Sequence, residues 1–264
     1  MTASQLQQLT LHVCETARRA AAFIRQERTH FSDDSIECKH AHDYVSYVDK
    51  GSERLIVDSL RELLPEAGFI TEEGLASHHS ETYCWVVDPL DGTTNFLHSY
   101  APYAVSIALT RGDEILAGVV CEVTADECFY AWRGGGAYLD GMPIAVSHRT
   151  LDEALLCFQL PYNAEAYSAT ARSLIAQFYG RVASIRMIGS AAMALCYVAA
   201  GRLDGYAERY IGQWDFMAGA IIVSEAGGQL SDYSGTSRFF HGDSIVATNG
   251  LFHQQLLEAI GQAT

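Results

Sequence analysis

Basic residues are scarce in this chain of 264 residues, in which 17 lysines and arginines stand against 32 aspartates and glutamates for a net charge of −15. Binders of nucleic acids and of anionic membranes depend on clustered Lys and Arg, so this balance argues against both kinds of partner. The acidic excess fits two kinds of protein: one whose carboxylates hold cations, and one that net charge keeps soluble.

Long apolar runs and cysteine motifs are also missing. The longest apolar run, residues 191–201, spans eleven residues, fewer than the about 18–20 that a membrane helix needs. The first basic residue is Arg18, so we expect no secretory signal. The seven cysteines form no CxxC pair, which favours reduced thiols in a cytoplasmic protein over a zinc site or a disulfide framework.

The pattern of apolar residues predicts a layered fold. Hydrophobic residues make up 49% of the chain, and we expect a single domain over residues 1–264, with a candidate subdivision near residue 150. The first half predicts helices at the start of the chain and over residues 51–64, then strands that include a hairpin of residues 115–123 and 127–133. Glycines 134–136 are expected to interrupt this meander. Strands alternate with helices in the second half, so the whole predicts an α+β sandwich.

The segment most informative about chemistry is residues 85–96, WVVDPLDGTTNF. A buried strand is predicted to end there in Asp88 and Asp91, separated by Pro89 and followed by Gly92, which permits a tight turn and close backbone approach. Two carboxylates on one turn can share oxygens between two hard cations, with the Leu90 carbonyl as a neutral ligand. The alternative is a turn that the aspartates close by hydrogen bonds of their own side chains.

Two further acids strengthen the cation interpretation. Glu72 follows a predicted strand, and Asp215 stands at a predicted helix start, where an aspartate by itself more often caps the helix than binds a metal. If Glu72, Asp88, Asp91 and Asp215 converge, they repel one another unless cations are present. The set therefore predicts a metal site.

Two motifs resemble signatures of the inositol monophosphatase family, which are magnesium-dependent, lithium-sensitive phosphomonoesterases. Residues 88–96, DPLDGTTNF, resemble the first signature, and residues 214–219, WDFMAG, continuing to residues 225–228, EAGG, resemble the second. The likeness extends from Lys39 to Gly250. It departs at Thr71, where the family commonly has glycine, and we expect that change to be harmless.

The resemblance implies a homodimeric αβαβα sandwich with two or three Mg²⁺ ions. Glu72, Asp88 and the Leu90 carbonyl would hold the first ion, and Asp88, Asp91 and Asp215 the second. Thr93, oriented by Asp49 and assisted by Glu72, would position the attacking water. The implied substrate contacts are Asp91, Gly92, Thr93, Gly189, Ser190, Ala191, Glu208 and Asp215, of which Gly92 and Thr93 would offer backbone N–H groups to the phosphate.

The implied reaction is hydrolysis of a small phosphorylated polyol or sugar by direct attack of a metal-activated water, with myo-inositol 1-phosphate as the default substrate. Relatives with similar metal signatures act on fructose 1,6-bisphosphate, histidinol phosphate or 3′-phosphoadenosine 5′-phosphate, and these remain alternatives. Asn95 and Glu208 favour the inositol branch. The alternative outside catalysis is a metal-binding interaction protein without turnover. We expect no nucleic-acid or membrane partner.

Overall fold

Helices and sheets alternate in layers in the computed structural model, which describes residues 1–32, 36–40, 43–76, 78, 82–160, 164–241 and 243–263. Within these ranges the helices are α1 (Ala3–Arg28), α2 (Tyr47–Leu63), α3 (Thr93–Leu97), α4 (Ala164–Phe178), α5 (Ala191–Ala199), α6 (Gln213–Glu225) and α7 (His253–Ala263). The strands are β1 (Ile36–His40), β2 (Asp43–Ser46), β3 (Gly68–Thr71), β4 (Cys84–Asp91), β5 (Ala104–Arg111), β6 (Glu114–Glu122), β7 (Cys128–Trp132), β8 (Ala137–Leu139), β9 (Met142–Ile144), β10 (Leu155–Phe158), β11 (Ser184–Arg186), β12 (Gly205–Arg209), β13 (Gln229–Ser231) and β14 (Ser244–Thr248).

The first sheet runs in the order β3-β4-β5-β6-β7-β8-β9, with β3 and β4 parallel and the other neighbours antiparallel. The predicted hairpin is confirmed as β6 and β7, where Cys121 lies opposite Cys128. The predicted interruption at glycines 134–136 is wrong, because the sheet continues through β8 and β9. Gly134 and Gly136 take positive φ values of 73° and 83°, so they turn the chain tightly enough for β8 to pair with β7.

The second sheet runs in the order β11-β10-β12-β14-β13. Strand β10 is parallel to both β11 and β12, while β14 is antiparallel to both β12 and β13. The alternation of strands and helices predicted for the second half is therefore present, since α4, α5 and α6 each lie between two strands of this sheet along the chain. One end of this sheet, where β10 and β12 both finish, becomes part of the site below.

Three clusters of buried side chains show how the layers pack. Helices α1 and α2 cover one face of the first sheet. Helices α5 and α6 fill the space between the two sheets, and α4 and α7 cover the far face of the second sheet. The predicted α+β sandwich, layered αβαβα, is confirmed. Because the central cluster joins both sheets, we propose that the chain folds as a single domain with no tether near residue 150.

The apolar patterning explains the outermost helix. The buried residues of α1 follow spacings of three and four, from Leu6 and Leu9 to Ile24, as an amphipathic helix requires. The helix begins after Thr2, whose side chain accepts the Gln5 N–H in a capping box. No described helix combines the length and the apolar composition needed to cross a bilayer.

Candidate active site

A cleft of about 420 Å³ opens where several elements end together. Its lining comes from the ends of β4, β10 and β12 and from the starts of α3, α5 and α6. The predicted site residues that line it are Glu72, Asp88, Leu90, Asp91, Gly92, Thr93, Gly189, Ala191, Glu208 and Asp215. The topology thus brings together residues that are up to 143 positions apart in sequence, from 72 to 215.

A bulge in β4 sets the positions of the paired aspartates. Asp88 and Asp91 are three residues apart, and in a regular strand such residues face opposite sides. On the neighbouring strand β5 their partners, Ser106 and Ala104, are only two residues apart, so β4 carries one extra residue between them. The extra residue lets both carboxylates serve the same cleft.

Asp215 completes a close group of carboxylates. It is the third residue of α6, not the cap, and its carboxylate accepts the N–H of Gly212 at 2.7 Å. Oxygens of Asp88, Asp91 and Asp215 lie within 4.8 Å of one another. This is the spacing at which separate carboxylates can share a cation.

Burial and mutual repulsion make these carboxylates hard to ionise. Burial raises the pKa of Asp88 well above its ordinary value, and the negative charges of Glu72, Asp91 and Asp215 raise it further. Burial and the charge of Asp91 do the same to the pKa of Asp215. Burial also raises the pKa of Asp91 to about 6, against the lowering effect of its hydrogen bonds. The fold therefore concentrates negative charge that a cation would neutralise.

The start of α5 holds the Asp91 carboxylate. The Ser190 hydroxyl donates to it, as do the N–H groups of Ala191 and Ala192, at 3.2 and 3.0 Å. These are N–H groups that the first turn of a helix leaves without partners inside the helix. Ser190 is buried, so its hydroxyl orients Asp91, whereas the resemblance implies contact with substrate.

Thr93 stands between the cleft and a buried acid of α2. Its hydroxyl lies 3.0 Å from the Leu90 carbonyl oxygen and 3.3 Å from Asp49 Oδ1. Asp49 is fully buried, and its other oxygen accepts from the N–H and the hydroxyl of Ser46, at 2.8 and 2.7 Å. Burial raises the pKa of Asp49. The Thr93–Asp49 contact joins α2 to the cleft.

The segment that carries Glu72 is held by a residue absent from the expected site. Glu53 of α2 is fully buried, and its carboxylate accepts from the Thr71 hydroxyl at 2.8 Å and from the N–H groups of Glu73 and Leu75 at 2.9 and 2.7 Å. Thr71, the departure from the family pattern, thus supplies a hydrogen bond to a buried carboxylate. Glu72 itself is half-buried in the cleft.

Two glycines allow the backbone to approach closely at the cleft. Gly92 has φ +89°, and a Cβ there would come within 3.1 Å of the Gly189 carbonyl oxygen. Gly189 has φ +74°, and a Cβ there would lie 2.7 Å from the side chain of Asn95. The Asn95 amide donates to the carbonyls of Pro102 and Ile188, at 2.7 and 2.8 Å. Asn95 therefore ties the turn after β4 to the segment before α5.

Glu208 lies farther out, at the end of β12, and is half-buried. Burial, with a smaller contribution from the charge of Asp91, raises its pKa to about 8, while the hydrogen bond from the Tyr206 hydroxyl opposes the rise. A carboxyl group with such a pKa can accept or donate a hydrogen bond near neutral pH. It is suited to hydroxyl groups of a ligand.

Sequence reasoning missed Glu53 and Gln159. The Gln159 side-chain oxygen accepts the N–H groups of Ile188 and Gly189 at 3.1 and 3.2 Å, which fixes this wall of the cleft. A signal for Glu53 existed, since it lies four residues after Asp49, one turn along the same helix face. Gln159 carried no comparable signal, because its two partners lie 29 and 30 residues away in a loop.

The donor set fits Mg²⁺. The three clustered ligand groups are all carboxylate oxygens, which a hard divalent cation prefers, and the Leu90 carbonyl adds a neutral oxygen at the same turn. Within the described residues, this is the one group of three or more His, Cys, Asp or Glu side chains close enough to share an ion.

Similarity to known proteins identifies the family of this chain. A model of the inositol monophosphatase family matches residues 5–264. An inositol-1-monophosphatase of Mesorhizobium japonicum is 35% identical, with 93% of each chain covered, and the Nus factor SuhB of Escherichia coli is 38% identical, with 88% of each covered. The crystal structure of the suppressor protein suhB from Bartonella henselae superposes with a TM-score of 0.90 at 34% identity, covering 95% of this chain and 97% of the other. This chain belongs to the inositol monophosphatase family.

Proposed function

We propose that the protein hydrolyses a small phosphomonoester in the presence of Mg²⁺, with myo-inositol 1-phosphate as the preferred substrate. The observation that carries the proposal is the group formed by Asp88, Asp91 and Asp215, within 4.8 Å of one another in a cleft that Thr93 also lines. Without cations, these carboxylates would repel a phosphomonoester dianion. Cations held by the same carboxylates would cancel this repulsion, and the cleft would then be suitable for phosphate.

The residues divide into two overlapping ligand sets. Glu72, Asp88 and the Leu90 carbonyl would hold one Mg²⁺, and Asp88, Asp91 and Asp215 would hold a second. When bound, Mg²⁺ neutralises the phosphate, lowers the pKa of the attacking water and stabilises the leaving alkoxide. The protein supplies position: the bulge in β4 aims both aspartates, and the start of α5 fixes Asp91.

The attacking water is positioned and deprotonated by three residues, Thr93, Asp49 and Glu72. The Thr93 hydroxyl donates to the Leu90 carbonyl or to Asp49, which leaves its oxygen free to accept a hydrogen bond from the attacking water. Asp49 holds Thr93 in place from a fully buried position. The half-buried Glu72 accepts the proton that the water loses.

The remaining residues bind the two ends of the substrate. The backbone N–H groups of Gly92 and Thr93 face the phosphate. Glu208, Gly189 and Ala191 contact the alcohol part, with Glu208 accepting from ring hydroxyls. Ser190 acts through Asp91, which its hydroxyl orients.

A second candidate is an interaction protein that binds metal without turnover. Relatives at 38–39% identity carry the name Nus factor SuhB, which is not the name of a phosphatase, and this supports the second candidate. We further propose a cytoplasmic homodimer, on the family resemblance.

Phosphate release from a panel of substrates separates these functions. The panel contains inositol 1-phosphate, fructose 1,6-bisphosphate, histidinol phosphate and 3′-phosphoadenosine 5′-phosphate, each with Mg²⁺ and with chelator. We expect Mg²⁺-dependent release that is fastest from inositol 1-phosphate. Faster release from another member overturns the assigned substrate and keeps the metal site. No release from any member, while Mg²⁺ still raises the melting temperature, favours the interaction protein.

A further inference from the structure

Gln159, the residue after β10, has a side chain whose orientation is fixed. The residue is only 9% exposed, and its side-chain oxygen accepts the N–H groups of Ile188 and Gly189, at 3.1 and 3.2 Å. Only the oxygen of an amide group can accept hydrogen bonds, so these two contacts determine which way the amide points. The oxygen faces the wall of the cleft, and the –NH₂ group lies on the other side.

The Gln159 –NH₂ group has no acceptor within the protein. Among the residues that the structure describes, Gln159 Nε2 makes no hydrogen bond, and both side-chain contacts use the oxygen. The nitrogen is not sealed in the core either, because the buried side-chain nitrogens without a partner in this part of the chain belong to Arg28, Trp85 and Arg209. Gln159 lines the cleft. Since the polar groups of buried side chains are normally paired, these N–H donors indicate a ligand that brings an acceptor into the cleft.

The sheet places Gln159 beside Glu208. Strands β10 and β12 are parallel neighbours with Phe158 opposite Ala207, so Gln159 and Glu208 are the next pair in this register. The Gln159 N–H donates to the Ala207 carbonyl at 3.3 Å, which continues the pairing past the end of β10. Side chains in register on neighbouring strands point to the same face, and such strands lie about 4.8 Å apart. Gln159 and Glu208 both line the cleft, so they face it side by side.

The two side chains offer opposite hydrogen-bonding roles to a ligand. The Tyr206 hydroxyl donates to one oxygen of Glu208, which orients the carboxyl group and leaves its other oxygen for the cleft. That oxygen can accept a hydrogen bond, whereas the Gln159 –NH₂ group can only donate. A second phosphate group matches this pair poorly, because an ionised Glu208 repels it. Two hydroxyl groups on adjacent carbons match it well, since one can donate to Glu208 while the other accepts from Gln159.

We propose that Gln159 is a specificity-determining residue: its amide –NH₂ group donates to one hydroxyl of the substrate while Glu208 accepts from the adjacent one, so that the cleft selects phosphomonoesters whose alcohol carries two adjacent free hydroxyls. This inference rests on the proposed phosphatase function and adds a residue to the alcohol side of the site. Gln159 then has two roles, because its oxygen fixes the wall of the cleft and its nitrogen contacts the substrate.

Kinetics with two substrates test this contact. Inositol 1-phosphate is the probe and cyclohexyl phosphate the reference, because both carry phosphate on a secondary alcohol of a six-membered ring and only the probe has further hydroxyls. In Gln159→Met, which keeps the length of the side chain but has no donor, the ratio of kcat/KM for the probe to that for the reference falls by about threefold to tenfold, the range that one hydrogen bond between uncharged groups gives. Loss of the wall contacts alone slows both substrates alike and leaves this ratio unchanged. Gln8→Met, at an exposed glutamine of α1 outside the cleft, is the matched control.

Further outcomes separate failure of this contact from failure of the proposed function. A ratio within twofold of the wild type in Gln159→Met overturns the contact, as does a wild type that hydrolyses cyclohexyl phosphate as well as inositol 1-phosphate. If the wild type hydrolyses neither compound, the proposed function fails, and calorimetric titration of the Mg²⁺-loaded protein with each compound tests the contact alone. The ratio of the two Kd values should then change in Gln159→Met by the same factor. An unchanged ratio, or no binding of either compound, overturns the contact.

A second measurement applies if Gln159→Met melts far below the wild type, since this variant loses the contacts to Ile188 and Gly189. The Mg²⁺-loaded wild type, labelled with ¹⁵N, is titrated with myo-inositol and inorganic phosphate together. The side-chain amide signal of Gln159 is assigned by its absence from Gln159→Glu, which keeps an oxygen for the two backbone N–H groups. That signal should shift with inositol and much less with cyclohexanol and phosphate. A signal that does not respond to inositol overturns the contact.

Discussion

Replacing Asp215 with asparagine removes one negative charge from the cleft and leaves the shape of the side chain almost unchanged. The asparagine oxygen can still accept the Gly212 N–H that Asp215 accepts at 2.7 Å. The metal-free protein should therefore gain stability from Asp215→Asn, since repulsion decreases and no hydrogen bond is lost. Mg²⁺ should then stabilise the variant far less than the wild type, since one ligand is impaired.

The expected size follows from the distances. Two full charges within 4.8 Å repel by at least about 3.5 kcal/mol at an effective dielectric constant near 20. Burial and repulsion already raise the pKa of Asp88 and Asp215, so protonation relieves part of this cost at neutral pH. We expect a net gain of about 1–2 kcal/mol, or roughly 2–8 °C in melting temperature for a chain of this size. Mg²⁺ at a hundred times its Kd stabilises the wild type by about 2.7 kcal/mol.

Thermal unfolding in chelator and in Mg²⁺ provides the assay. Asp215→Asn should melt above the wild type in chelator and below it in saturating Mg²⁺. Glu15→Gln, on the exposed face of α1, is the matched control and should follow the wild type in both conditions. The reasoning is refuted if Asp215→Asn melts below the wild type in chelator, or if Mg²⁺ raises the melting temperature of both by the same amount.

Three further predictions concern residues outside the ligand set. The glutamine of Glu53→Gln cannot accept all three of the hydrogen bonds that hold the Glu72 segment, so the Mg²⁺ concentration for half-maximal phosphate release should rise by about tenfold, with a smaller change in kcat at saturating Mg²⁺. Thr71→Val removes one of the three hydrogen bonds and should show a smaller rise. Unchanged Mg²⁺ dependence in both variants would contradict the role of Glu53. His253 is buried between two hydroxyls, and burial lowers its pKa below the ordinary 6.5. The unfolded chain therefore binds the proton at a higher pH than the folded protein does, and stability is lost as pH falls below about 6.5. Urea unfolding from pH 5 to 8 should show that the free energy of unfolding depends less on pH in His253→Gln than in the wild type, and an equal dependence in both would exclude the effect. Asp204 is fully buried and accepts hydrogen bonds from Arg149 at 2.9 Å and from the Leu155 N–H at 2.7 Å. Because Asp204→Ala leaves these donors without their acceptor, it should lower the free energy of unfolding by about 2–4 kcal/mol. A loss under 1 kcal/mol in urea unfolding would contradict this.

Patterns of local spacing allowed much of the fold to be predicted. The helix of α1 follows from its apolar spacing, and the β6–β7 hairpin from two strand-like segments around a short turn. The glycines at 134–136 misled the prediction because a glycine turn can either end a sheet or connect two of its strands. The choice depends on whether the next segment finds a partner, and β8 pairs with β7 through contacts that sequence spacing does not encode.

The candidate site was predictable where its residues stand in compact motifs. Asp88 and Asp91 lie in the last residues of β4 before it ends, Asp215 lies in the first turn of α6, and the structure brings the three together. The bulge that aims the two aspartates of β4 depends on pairing with β5, so a single strand could not reveal it. Gln159 was missed for a related reason: it acts through a distant loop and belongs to no motif.

Steady-state phosphate release from inositol 1-phosphate, with Mg²⁺ and with chelator, tests the central claim most directly when the wild type is compared with Asp88→Asn. Asp88 belongs to both proposed ligand sets and is almost fully buried in the cleft. We expect release by the wild type that requires Mg²⁺ and a loss of at least a thousandfold in Asp88→Asn, by order of magnitude for removal of metal-ion stabilisation of the transition state. Release that persists in chelator, or Mg²⁺-dependent release by Asp88→Asn near the wild-type rate, would contradict a magnesium-dependent phosphatase site built on these carboxylates.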